Sequence, residues 1–247
     1  MRLLLSEALK VRTAPRTLLG LVVGMTALAI LGAASTASGV SPGPLGEEDA
    51  RWDVLSAGTT AVIFTLVLGI LIVTWEYRHG TITQTFLATP RRERAMAAKY
   101  AVAFAAGAVL AVISLIAVLV TATFWISAGL TGGQWEMVGR IVLGAALWGV
   151  LGAGLGALLQ SQVGAIVAAF VWFLIAEPLI GARFDHFADF LPGAALERLT
   201  TRAELQGFGD ESSGWSFGIG AAALLAGAYA LAVAALGTAS AVWRDVT

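Results

Sequence analysis

From Trp75 to Lys99 the chain reads WEYRHGTITQTFLATPRRERAMAAK. This is a polar, basic island between two long apolar runs. It sets Arg78, Arg91, Arg92, Arg94 and Lys99 against Glu76 and Glu93, a local excess of positive charge. The flanking runs, Ser56–Thr74 and Ala98–Ile126, are each close to or beyond the roughly 20 apolar residues that cross a bilayer. The same criterion, applied outward, adds Thr17–Ala37, Val138–Leu159, Val163–Gly181 and Phe217–Val242. The fold expected is an all-α polytopic bundle of about six transmembrane helices, one membrane domain over residues 1–247.

Composition agrees. Of 247 residues 58% are hydrophobic and 13% charged, and a soluble domain carries about twice that charge fraction. There is no cysteine, which excludes disulfides and thiolate metal sites. The 29 glycines suit close helix contacts in lipid, where association rests on packing. Gly149, Gly152, Gly154 and Gly156 crowd one half of the fourth run, and they read either as packing within the chain or as a seam to a second copy. Between the fourth and fifth runs only Gln160, Ser161 and Gln162 intervene, so a tight hairpin is expected, because one uninterrupted helix would overrun the bilayer.

Charge orients the spans. With the N-terminus inside, the outer segments hold Arg51, Arg140, Arg183, Arg198 and Arg202, and the other ten of the 15 basic residues lie inside. That bias places both termini in the cytoplasm of a multi-pass cell-membrane protein. The first run resembles a signal peptide in its basic approach, but it is longer than an ordinary signal-peptide core and reads as an uncleaved span. Before it, residues 2–16 read as an amphipathic basic segment suited to lipid phosphates. Gly39–Asp53 reads as an external loop. The aromatic-rich Arg183–Gly214 stretch reads as folded onto the membrane surface or re-entrant.

Within the island, His79-Gly80 punctuates the entry. Thr81 and Gln84 match a capping box, Ile82 and Phe86 share a face with Leu87 beside them, and Pro90 ends the helix. A short helix is expected below the membrane, offering Ile82, Phe86 and Leu87 as an apolar plug. The surrounding arginines would steer a partner.

These residues resemble a family. Glu76, Gly80, Thr81, Ile82, Leu87, Pro90, Arg91, Arg92 and Lys99 fall in the order found in the cytoplasmic loop of type-2 ABC-exporter permeases. The resemblance continues in GLGALLQSQVGA (Gly154–Ala165), in Leu191-Pro192 and in WRD (Trp243–Asp245). Gln160 departs from it, since relatives often carry a basic residue there. The resemblance implies a coupling helix over Ile82–Ala88, an N-terminal amphipathic helix beside it, and outer re-entrant helices between spans five and six. It further implies a separate ATP-binding cassette subunit as partner. A second permease copy or a related permease would complete the transport path, with drugs, lipids or peptides as cargo. ATP and magnesium would sit on the partner subunit.

No GxxxxGK[ST] phosphate loop is present, since Lys10 is followed by Val11 and Lys99 by Tyr100. No cofactor, metal or nucleic-acid site is expected on this chain, nor a catalytic one, so it reads as a non-enzyme. The carboxylate of Glu177, near the outer end of span five, is expected either to snorkel or to pair with Arg140 as an outer gate latch. Two rival readings stay open. One is a secondary transporter or channel, which would need polar groups at mid-span, where this chain offers only Thr26, Thr65, Ser114 and Trp148. The other is a membrane sensor or assembly protein that recruits a cytosolic partner.

Overall fold

The computed structural model describes residues 6, 7, 9, 15–38, 44–83, 91–124, 130–200 and 218–243, with main chain alone at 15, 44–49, 185 and 186. Among these residues six helices are long and apolar enough to cross a membrane: Arg16–Ala37, Ala50–Arg78, Arg92–Ala122, Gly132–Leu159, Gln162–Arg183 and Ile219–Trp243. The described residues are all-helical, without strands. The chain is therefore an α-helical multi-pass bundle.

The fourth span is its axis. In its most apolar stretch 72% of residues are buried, against 22%, 17% and 22% for the first, fifth and sixth spans. Small residues permit this. A side chain on Gly69 of the second span would strike the carbonyl oxygen of Gly149 and sit 2.8 Å from the Ala153 nitrogen. One on Gly152 would strike the Leu66 carbonyl, and one on Gly149 would lie 2.6 Å from the Ala103 oxygen. Gly154 meets the sixth span at Val233 and Ala234. The glycine-rich half of the fourth span thus packs on spans two, three and six of the same chain. Close backbone approach maximises dispersion contact where no hydrophobic burial between helices is available.

Polar ties reinforce this packing. Tyr100 donates to the Ala234 carbonyl at 2.9 Å, Thr238 donates to the Tyr100 hydroxyl at 3.1 Å, and Ser240 donates to the Leu158 carbonyl at 3.3 Å. All three hold the sixth span to the third and fourth.

Several boundaries differ from those read off hydropathy. The third span starts at Arg92, six residues before Ala98, and the second runs on to Arg78. Much of the basic island is therefore continuous with the spans. The fourth starts at Gly132, where the Thr131 N–H donates to Gln134 Oε1 at 2.9 Å in a capping box. Residues read as an external loop form a helix over Pro44–Ser56, which runs through a 3₁₀ turn at Ala57–Thr60 into the second span. Proline opening a helix and acids in its first turns suit that end. The hairpin between spans four and five is present. Gln160 takes a left-handed conformation (φ 53°) and the Ser161 hydroxyl accepts from the Gly164 N–H at 3.2 Å. Beyond the fifth span, the amphipathic Pro192–Thr200 helix buries Ala195 and Leu199, with Leu196 and Thr200 against Gly144 of the fourth span. This end of the bundle is opposite the one that carries Arg78 and Arg92.

Candidate functional site

The second span closes at the basic end in a Schellman turn. Gly80 sits at φ 66°, the Gly80 N–H donates to the Tyr77 carbonyl at 3.3 Å, and the Thr81 N–H donates to the Glu76 carbonyl at 3.0 Å. The turn fixes the last helical turn that carries Glu76. Two turns into the third span, Lys99 faces the same point. Its Nζ lies 2.7 Å from Glu76 Oε1 and 2.7 Å from Glu7 Oε2. Lys99 is 0% exposed, Glu7 3% and Glu76 5%. One buried cation is thus bracketed by two buried carboxylates from separate parts of the chain: the N-terminal helical segment, the end of span two and the start of span three.

Such an arrangement is costly to disturb from one side only. Desolvation of each ion costs several kcal/mol, and the mutual attraction repays it only while all partners stay in place. The three segments are therefore tied at the root of the 79–91 connection.

Around this knot the basic end is cross-braced. The Arg78 guanidinium donates to Gln162 Oε1 at 3.1 Å, joining the second span to the hairpin between spans four and five. Arg92 donates to the Val242 carbonyl at 3.2 Å, joining the third span to the end of the sixth. Arg91 caps the third span from an extended conformation and is exposed, as is Arg94.

Ile82 corrects the sequence reading. It is 2% exposed, packed in one cluster with Val73, Met96 and Ala241. It is therefore committed to the chain's own core and not offered to a partner. The isoleucine is a foot that plants the loop on the bundle. Phe86, Leu87 and Pro90, with Gln84 of the expected capping box, lie outside the described residues.

The expected latch between Glu177 and Arg140 is not formed. Glu177 Oε1 accepts from the Gly193 N–H at 2.6 Å and from the Ala194 N–H at 3.1 Å. Arg140 lies 3.8 Å from Glu136, one turn earlier on its own helix. Main-chain donors at the start of the Pro192–Thr200 helix outcompete a distant guanidinium because they are fixed and pay no side-chain entropy. The approach is close: a side chain on Gly193 would sit 2.8 Å from both carboxylate oxygens. Just before Glu177, Trp172–Ala176 forms a π turn, and the Glu177 N–H reaches back five residues to the Trp172 carbonyl. That extra residue per turn re-aims the carboxylate.

No protein-family model and no curated protein matches this chain.

The reading of the basic end therefore rests on its own geometry. Sequence reasoning singled out Glu76 and Lys99 by motif but missed Glu7. A carboxylate seven residues from the N-terminus gives no local sign that it will meet a lysine 92 positions on. Its one cue was an acid within an otherwise basic, apolar segment.

Proposed function

We propose that the chain is the membrane-spanning permease subunit of an ATP-driven type-2 ABC exporter. The end carrying Arg78 and Arg92 faces the cytoplasm, where both termini lie. The residue 79–91 connection docks on a separate ATP-binding cassette subunit, which supplies ATP and magnesium. A second permease, identical or related, completes the 2+2 assembly in the cell membrane.

The observation that carries this reading is the buried Glu7–Lys99–Glu76 knot at the root of the basic connection. A loop that only set topology would need arginines in water and nothing more. This one is rooted in a desolvated ion cluster, by an isoleucine foot and by braces to the fifth and sixth spans. A push on the connection is passed to four spans and the N-terminal segment as one body, because packed interiors transmit strain rather than absorb it. In this mechanism ATP binding closes the partner subunits, the connection moves with them, and the bundle switches the side on which its cavity opens.

Phe86 and Leu87 then make the apolar contact with the partner, with Thr81, Arg91 and Arg92 beside them and Gly80 setting the turn. The mid-span residues give little to an ion-coupled secondary transporter, which needs intramembrane charge. The test is isolation of the tagged full-length chain from its native membranes in mild detergent. An ATPase subunit accompanies it, and Phe86→Asp removes that subunit while leaving the chain folded. Isolation without any nucleotide-binding polypeptide, together with full transport in ATP-free vesicles, would overturn the proposal.

A further inference from the structure

At the end of the bundle opposite the basic connection, a cavity of about 650 Å³ opens between the second and fifth spans beneath the Pro192–Thr200 helix. Its wall is apolar and aromatic: Ile63, Leu66, Trp148, Phe170 and Phe173 line it. Trp148 and Phe173 pack ring to ring, with centroids 4.8 Å apart and planes tilted by 59°. The volume is that of a small-molecule site rather than a packing flaw.

The cavity has one built polar feature. Glu177 lines it and is 8% exposed. Its Oε1 is held by Gly193 and Ala194, while its Oε2 is buried with no hydrogen-bond partner among the described residues. A buried acceptor left open costs free energy unless something donates to it. Glu197 also lines the cavity, and among the described residues no lysine or arginine does. Glu177 and Glu197 are thus the charged groups of the lining among the described residues, and Trp148, Phe170 and Phe173 add aromatic rings, a residue type that attracts cations.

We propose that this cavity binds a lipophilic amine. Its ammonium donates to Glu177 Oε2, and its apolar body lies against Trp148, Phe170 and Phe173. The inference deepens the permease reading and rests on it only for calling the ligand cargo, because binding needs neither ATP nor a partner. The shared chemistry is a protonated amine on a hydrocarbon tail, which either a soluble amphiphile or an aminophospholipid of the bilayer supplies.

The test is photoaffinity labelling of the full-length chain in phosphatidylcholine nanodiscs. The probes are an alkylamine and an alkanol of equal length, each carrying a diazirine, with labelled peptides read by mass spectrometry. The expected result is amine labelling within residues 62–66 and 170–178 that excess dodecylamine competes and dodecanol does not. Glu177→Gln keeps an acceptor for Gly193 and Ala194, so the fold is retained, and it lowers amine labelling at least tenfold without changing alkanol labelling. Ile63→Trp, at a half-exposed position on the cavity wall, blocks labelling without touching the carboxylate.

Repeating the experiment in discs containing phosphatidylethanolamine separates the sources. Reduced labelling identifies the aminolipid as occupant, and unchanged labelling identifies the soluble amine. Equal labelling by amine and alkanol, or wild-type labelling of Glu177→Gln, overturns the assignment. Because no ATPase is present, loss of this inference leaves the permease reading standing, and the reverse holds as well.

Discussion

Replacing Lys99 by methionine isolates the contribution of the buried knot. At an effective dielectric of about 20, each lysine–carboxylate pair at this spacing has a gross attraction of roughly 6 kcal/mol. Desolvation of the three ions offsets most of it. Methionine keeps most of the volume but deletes both attractions and leaves Glu7 and Glu76 buried beside each other. Removing one partner from a buried ion cluster costs about 3–5 kcal/mol. For a chain of this size that corresponds to a fall of roughly 6–20 °C in midpoint. The assay is thermal unfolding of the detergent-purified chain, followed by tryptophan fluorescence.

The triple variant Glu7→Gln, Glu76→Gln, Lys99→Met removes the charges together and recovers most of the loss, since a fully neutral cluster has no stranded ion. A Lys99→Met midpoint within about 1 °C of wild type would refute the claim that the knot is desolvated and mutually dependent. So would a triple variant less stable than the single one.

Two further outcomes follow from the packing. Gly69→Val drives a side chain into the Gly149 and Ala153 backbone and costs more than about 3 kcal/mol or stops the chain accumulating; Gly20→Ala, which meets nothing within 4 Å, is neutral or stabilising by up to about 1 kcal/mol. The comparison is read as yield and midpoint by fluorescence-detected size exclusion. Because Glu177 and Arg140 do not pair, a double-mutant cycle of Glu177→Gln with Arg140→Ala gives a coupling below about 0.5 kcal/mol in the same melts; a coupling above about 1.5 kcal/mol would restore the latch.

The bundle itself was legible because each span is a run of apolar residues long enough to cross a bilayer, and hydropathy needs no tertiary knowledge to find such runs. Its errors fall where charges sit inside helices. Glu76, Arg78 and Arg92 were assigned to a loop on polarity, yet all three are helical, because each charge finds a partner or reaches the bundle's end. Thr131-Gly-Gly-Gln134 bore the same capping pattern that was noticed at Thr81, but it preceded a stretch too polar to be counted as span. The site was half legible. Motif order pointed to Glu76 and Lys99, whereas Glu7 depends on a contact 92 positions along the chain. At the other end the carboxylate of Glu177 was recognised but matched to the wrong partner. Opposite charge at similar depth suggested Arg140, while the true donors are main-chain N–H groups, which have no residue-type signature. Gly193 was the available cue, as a residue that lets a carboxylate reach the backbone.

In the mechanism we propose, a separate ATPase drives this bundle through the 79–91 connection. The chain has no cysteine, so Thr85→Cys supplies a unique attachment point for a short photo-crosslinker on the full-length chain in native membranes. The expected result is capture of a polypeptide that binds ATP, with a yield that changes when ATP is added. Capture of lipid and other copies of this chain alone, with no dependence on nucleotide, would contradict it.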